Sequence, residues 1–463
     1  MRPIIPDTDF SQRHALILNA ATHLLQRGAI RNLGKMVNKM HPADVAKTVR
    51  HLKDAGSQRI VVGLLDDVQA RAEVIAELDD RSVVEVFGEL PRGDQLEILK
   101  VLDSDDAADL LGLLPGTLSG ELIAQLPHED QSDVVELLRY PEETAGGIMT
   151  PEYLAFPAGT TVQAVISHLQ DAAAEAEMVF YVFVLDDGGH LKGVLSLRNL
   201  LTVPGDTPIS EVMTTPVIRA RVDQDQEEVA RLTARYNLLA IPVVEADETL
   251  VGIITVDDVI DVMREEATED MLKLSGTTTE EEYTHSMGSM KAARLRLPWL
   301  MVNVVGGIVS AWVLSAFTAT LESALALAAF IPISMALGGS LGLQSSIIMV
   351  RGLATGRIEM GDVRRVFLRE VRVGALVGVV CGVLVGLVAM LWEAPWLGAV
   401  VGVALFVASC MAVITGTLAP VMFQRMKIDP AISSGPLVTM VNDLTGLVIY
   451  LGLAALMLHF VTV

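Results

Sequence analysis

One carboxylate stands inside one of the most apolar stretches of this 463-residue chain: Asp443, in GPLVTMVNDLTGLVIY (435–450). Ionisable groups at lipid depth are costly and mark ion or substrate pathways, so Asp443 reads first as a cation ligand. It follows Asp429 by 14 residues. If the stretch is helical throughout, at about 1.5 Å per residue, Asp443 lies roughly 21 Å along, well inside a bilayer. The plain alternative is a structural carboxylate satisfied by a neighbouring hydroxyl such as Thr439. Asp429, just before Pro430, reads as a cap at the membrane face.

Two further acidic clusters lie outside the apolar region. The segment GIITVDDVIDVMREEATEDMLKLSG (252–276) carries Asp257, Asp258, Asp261, Glu265, Glu266, Glu269 and Asp270. At helical spacing 258, 261, 265 and 269 share a face, where like charges one turn apart repel each other unless a cation intervenes. Asp103, Asp105, Asp106 and Asp109 form the second cluster. Hard divalent cations take oxygen ligands of this kind. A solvated helix face accounts for the first cluster without a metal, and helix capping does so for Asp103 and Asp105.

Five apolar segments of about 20 residues or more can position Asp443, near 298–319, 324–350, 372–394, 396–422 and 433–460. The loop between the second and third holds Arg351, Arg357, Arg364, Arg365, Arg369 and Arg372, and that between the fourth and fifth holds Arg425 and Lys427. The opposite loops, around Glu322 and Glu393, have neither Lys nor Arg. The positive-inside rule then predicts a cytoplasmic N-terminal part and a C-terminus outside. Pro332, Pro420, Pro436 and Gly338-Gly339 are expected to interrupt these helices, which is tolerated where helices pack in protein or line a watery cavity.

Ahead of the membrane, LDDRSVVEVFGEL (78–90), LDSDDAADLLGLL (102–114) and LPHEDQSDVVELL (126–138) recur every 24 residues. Each repeat buries its apolar stripe only against neighbours, which predicts an all-α helical solenoid over 1–140. Residues 141–265 turn β-rich and duplicate, as 141–204 and 205–265. Met149-Thr150-Pro151 opens the first copy and Met213-Thr214 the second; both close on Gly-x-x-Ser/Thr and a helix. This resembles a tandem pair of cystathionine-β-synthase (CBS) domains, an α/β module. A connecting helix over 266–297 and an α-helical transmembrane bundle over 298–463 complete the multidomain reading.

Charge separates these parts. Fifty of the 57 acidic residues and 23 of the 34 basic ones precede residue 291, so that part carries −27 and the rest +4. Such an excess of carboxylates disfavours nucleic acid and favours cations or basic surfaces. Cys381 and Cys410 both fall in apolar segments, so no disulfide framework is expected. Met1 to Gln26 lacks a signal-peptide pattern. No Ser/His/Asp order, phosphate loop, HExxH or His/Cys cluster suggests an enzyme.

The order of acidic helical domain, CBS pair, acidic connecting helix and five-helix bundle resembles the MgtE family of magnesium channels and transporters over nearly the whole length. RLRLPWLMVN (294–303), GGSLGLQSSIIMVRGLATG (338–356) and IDPAISSGPLVTMVNDLTGLVIY (428–450) carry the resemblance. It implies Mg²⁺ uptake across a bacterial plasma membrane by a homodimer set in lipid, with Asp443 as the pore carboxylate of each protomer. It implies closure by cytoplasmic Mg²⁺ bridging Asp105, Asp106 and Asp109 to the Asp257–Asp270 helix. CBS modules often take adenine nucleotides, which makes Thr255 and Asp258 candidates for ATP; the first copy has Ser196 and Asn199 there. Ser340 and Leu343 depart from the amides usual in the second-helix motif, leaving helix packing and selectivity open. The rival readings are a broader Co²⁺, Ni²⁺ or Mn²⁺ transporter, and a membrane-anchored CBS sensor without transport.

Overall fold

The period of 24 in the sequence is the period of a helix pair. In the computed structural model, which describes residues 10–52, 54–172, 180–277, 289–392, 395–433 and 435–462, ten short helices run from α1 (Phe10–Gln26) to α10 (His128–Leu137). Helices α6 (Asp80–Val86), α8 (Ser104–Gly112) and α10 start 24 residues apart. So do α5 (Val68–Ala76), α7 (Arg92–Leu99) and α9 (Gly116–Ile123), interleaved with them. Helices pack on the second one along, α5 on α7 and α8 on α10, which turns a linear repeat into a continuous core. Ile75, Phe87, Ile98, Leu111 and Leu122 are fully buried there, each contributing about 1.5–3 kcal/mol of apolar burial. Asp54, Asp67 and Asp79 cap their helices by accepting from the backbone N–H of Ser57, Gln69 and Ser82.

The duplicated segment forms two three-stranded sheets of one topology. In the first, β1 (Ala155–Pro157) pairs parallel with β2 (Tyr181–Leu185), and β2 antiparallel with β3 (Leu191–Ser196). The first copy's helices are α11 (Val162–Ala172) and α12 (Leu197–Thr202). In the second, β4 (Ala220–Arg221), β5 (Ala240–Val244) and β6 (Leu250–Thr255) repeat the arrangement around α13 (Gln226–Tyr236). The copies exchange their openings: Thr150 bridges to Ile253 and Thr214 to Val194. A Cβ on Gly252 would lie 2.7 Å from Met149 Sδ, and one on Gly193 would overlap Met213 Sδ at 2.3 Å. Each opening Met therefore sits in a notch left by the glycine of the other copy. The helical repeats share one buried core with Val229, Ile241, Ile254 and Val259 of the second copy, while the first has a core of its own.

Helix α14 (Val256–Ser275) follows β6 without a break and stops at Gly276, whose φ of +74° suits a glycine that ends a helix. The helix expected to continue to residue 297 thus ends at 275. Residues 278–288 lie outside those described, and 289–297 belong to the next helix. The chain divides into two compact units at Met263/Arg264.

In the second unit, α15 (Ser289–Ala316) is followed by the short α16 (Thr318–Ser323), then α17 (Ala326–Ala354), α18 (Val363–Trp392), α19 (Pro395–Arg425) and α20 (Pro436–Thr462). Five of these are long and apolar enough to cross a membrane. Three departures from the sequence expectation have physical causes. Helix α18 starts nine residues early and carries Arg364, Arg365, Arg369 and Arg372 on its first turns, because a helix can continue past the hydrocarbon while arginine heads reach water. Helices α17 and α19 run unbroken through Pro332, Gly338-Gly339 and Pro420, as packed neighbours compensate the lost hydrogen bond. Pro436 begins α20, the position where a missing N–H costs nothing. Gly374, Gly378, Gly382 and Gly386 line one stripe of α18, and a Cβ on Gly382 would meet the Gly402 carbonyl of α19 at 2.6 Å. Such four-residue spacing lets two membrane helices approach backbone to backbone.

Candidate cation sites

Asp443 lies seven residues into α20, about 10 Å from its start at about 1.5 Å per residue. The roughly 21 Å expected from Asp429 requires continuous helix, but residues 430–433 form a 3-10 turn and the α-helix begins only at Pro436. The half-buried carboxylate faces α17, where a Cβ on Gly339 would sit 3.5 Å from Asp443 Oδ1. Thr439 does not satisfy it, because that hydroxyl donates to the Gly435 carbonyl at 3.4 Å. Among the described residues no hydrogen bond or ion pair engages Asp443. A carboxylate so held can accept a cation or its hydration shell.

Its neighbour Asn442 was missed in the sequence and is 1% exposed. The amide fits into the gap at Gly342, where a Cβ would fall 1.6 Å from Asn442 Nδ2, and its Oδ1 accepts from the Thr415 hydroxyl of α19. Gly416 closes the junction, since a Cβ there would meet the Gly342 carbonyl at 2.2 Å. Helices α17, α19 and α20 are thus keyed together one residue from Asp443. Ser340 and Gln344 are exposed on the opposite side of α17 from Gly338, Gly342, Ser345 and Ser346, which are buried, so the Ser340 departure leaves this packing intact. Ser345 donates to buried Glu370 of α18 at 3.2 Å.

In the first unit α8 and the start of α14 contribute carboxylates that sense one another. Asp103 occupies the capping position of α8, the repeat equivalent of Asp79, yet makes no capping bond. Burial, then the charge of Asp257, raises it above the usual carboxylate range. Burial, followed by Asp103, Asp258 and Asp257, pushes Asp106 up to about 6. Asp258 is raised by burial against the opposing hydrogen bond from Thr255. Glu152, a member not foreseen, accepts from Ser104 at 3.1 Å and is raised mainly by burial. Asp105 and Asp109 lie on the same helix, Asp109 exposed, and Asp261 is exposed one turn after Asp258. Among the described residues no three His, Cys, Asp or Glu side chains converge closely enough to hold a metal ion. The arrangement is an array of mutually repelling carboxylates facing each other from two elements, which suits a hydrated cation.

Farther along α14, Glu265 is exposed and Glu266, Glu269 and Asp270 half-buried. Asp270 is pushed up to about 6 by burial and then by Asp429. Lys273 donates to Asp429 Oδ2 at 2.6 Å, and Asp429 Oδ1 caps the turn by accepting from Ala431 N at 2.8 Å. The Leu274 carbonyl lies where a Cβ on Gly435 would be 3.0 Å away, so the last turn of α14 abuts the entry to the helix that carries Asp443.

Thr255 and Asp258 are joined by a hydroxyl–carboxylate hydrogen bond, and Thr255 is 2% exposed. In the first copy Ser196 is bonded to Asn199 in the same i, i+3 relation. Ser196 also accepts from the Asn199 backbone N–H and so caps α12, whereas the Thr255–Asp258 bond joins two side chains at the start of α14.

Comparison with known proteins agrees with this architecture segment by segment. Residues 40–143 match the MgtE intracellular N domain, 145–206 and 209–265 each match a CBS domain, and 331–453 match MgtE, a divalent cation transporter family. The chain is 40% identical to the magnesium transporter MgtE of Thermus thermophilus over 94% of its own length and 97% of the relative's. It is 34% identical to that of Bacillus subtilis, covering 94% and 96%. A crystal structure of the cytosolic domain of the Mg²⁺ channel MgtE in complex with ATP superposes with a TM-score of 0.50 at 39% identity, covering 53% of this chain and 99% of that one. Identity at this level over nearly both full lengths means that the chain belongs to the MgtE family of magnesium transporters.

Proposed function

We propose that this protein carries Mg²⁺ across a bacterial plasma membrane, with its N-terminal part in the cytoplasm and its C-terminus outside. The half-buried carboxylate of Asp443, without a protein partner among the described residues, carries the reading. Mg²⁺ gives up water reluctantly, so a pathway that meets the hydrated ion with a few carboxylates fits its chemistry. In a homodimer two Asp443 side chains would face one another across the axis. Growth of an Mg²⁺-uptake-deficient bacterium should be rescued by this chain and not by Asp443→Ala. Equal rescue by the variant would overturn the role of Asp443. Equal uptake of Co²⁺, Ni²⁺ or Mn²⁺ would favour the broader transporter, and no uptake at all the anchored sensor.

Control is proposed to reside in the acidic arrays. At low cytoplasmic Mg²⁺ the carboxylates of Asp103, Asp106, Asp257 and Asp258 repel. As Mg²⁺ rises it bridges α8 to α14, with Asp105, Asp109 and Asp261 as outer ligands. Glu265, Glu266, Glu269 and Asp270 extend this response toward the entry of α20, where the end of α14 abuts Gly435. Limited proteolysis with and without millimolar Mg²⁺ tests this, and identical cleavage patterns would sink it. ATP is the ligand proposed for the CBS pair, supported by the ATP complex of the relative's cytosolic domain. Calorimetry with ATP on wild type and on Thr255→Val tests this, and equal affinity would remove the Thr255 hydroxyl from the nucleotide site.

A further inference from the structure

Six exposed arginines, Arg351, Arg357, Arg364, Arg365, Arg369 and Arg372, lie within 22 residues where α17 ends and α18 begins. None has a carboxylate within 4.0 Å among the described residues, although Glu359 and Asp362 sit in the same connection. Glu370 cannot serve them, because it is buried against Ser345. Several arginines of the first unit do have carboxylate partners: Arg50 pairs with Glu77, Arg92 with Glu121 and Arg219 with Glu248. Arg365, Arg369 and Arg372 share one face of α18 at i, i+4, i+7, and Arg364 joins them in the first turn. That turn has no acidic residue to offset the repulsion between its cations and the helix N-terminus. Met360 and Leu368 stand exposed among the guanidinium groups.

We propose that this face binds the phosphate headgroups of anionic phospholipids, so that the α17–α18 connection makes the transporter depend on lipid composition. The inference rests on the membrane reading above. Guanidinium groups take phosphate oxygens in paired hydrogen bonds, and basic clusters beside a membrane helix collect anionic lipid. The exposed Met360 and Leu368 choose a lipid surface over an acidic polypeptide or soluble phosphate, since apolar side chains between cations gain by entering the acyl boundary.

Native mass spectrometry of the full-length protein from mixed micelles of phosphatidylglycerol and phosphatidylcholine reads the retained lipid directly. Wild type should keep phosphatidylglycerol, and R364Q/R365Q/R369Q/R372Q should lose that preference by about five-fold or more. Its R→K counterpart, which keeps the charges that orient the helices, should fall in between because the paired geometry is gone. In liposomes, adding about a third phosphatidylglycerol should raise Mg²⁺ flux of wild type and leave the glutamine variant flat. Equal retention of both lipids by wild type, unchanged retention by the glutamine variant, or displacement by millimolar inorganic phosphate or by an acidic peptide would overturn the proposal. A wild type that retains phosphatidylglycerol but moves no Mg²⁺ would sink the transport reading and leave this one standing.

Discussion

Lys273 Nζ lies 2.6 Å from Asp429 Oδ2 and 2.6 Å from Glu269 Oε1, so one ammonium stands among Glu269, Asp270 and Asp429. Burial pulls Lys273 down, but the two hydrogen-bonded carboxylates outweigh it and hold its pKa above the ordinary lysine value. Replacing it, Lys273→Met, leaves three carboxylates without their internal cation. The pair is partly exposed, so a loss of about 1 kcal/mol is expected, or roughly 2 °C in the melting temperature of the detergent-solubilised protein in EDTA. Millimolar Mg²⁺ should restore more stability to the variant than to wild type. An equal gain in both would mean that Lys273 does not act as the counter-cation.

The acid pair across α8 and α14 predicts an inverted pH dependence. Asp106 has a folded-state pKa of about 6 against an ordinary 3.8, so the folded state holds its proton more tightly than the unfolded chain. The cost of ionising it is absent below about pH 4, develops between about pH 4 and 6, and is complete above. A fragment of residues 1–277 without divalent cation should therefore be more stable at pH 5 than at pH 7.5 by about 1 kcal/mol from this group. Asp106→Asn should flatten that difference in urea titrations, and an unchanged difference would remove Asp106 as its source.

The helix junction below Asp443 should resist added volume. Gly416→Ala drives a methyl into the Gly342 backbone, where no side chain can yield, and should cost about 1–3 kcal/mol. Gly446→Ala on α20, with nothing within 4 Å of its added carbon, should be neutral. Thermal aggregation of the two variants compares them directly.

Thr415→Val removes the donor to buried Asn442 Oδ1 and should cost about 1–3 kcal/mol. Because Asn442 adjoins Asp443, its half-saturation for Mg²⁺ uptake should rise while Thr415→Ser stays near wild type. Loss of protein without any change in uptake by the surviving fraction would limit Thr415 to stability.

What the chain alone determined is what repeats or accumulates locally. The 24-residue period, the duplicated strand–turn–strand–helix pattern and the five apolar stretches are each written in neighbouring residues, because burial on one face of a helix or strand imposes its own periodicity. Asp443 was legible for the same reason, as a charge surrounded by apolar residues. Tertiary structure decided which distant groups meet. Asp103 reads as a cap like Asp79, but in the fold it makes no capping bond and instead feels the charge of Asp257 on α14. Met149 opens its own copy yet fills the notch at Gly252 of the other, and Lys273 finds Asp429 across 156 residues. No local pattern encodes such pairings. They follow from how completed helices and sheets pack, when backbone approach at a glycine or the burial of a carboxylate selects one partner among many.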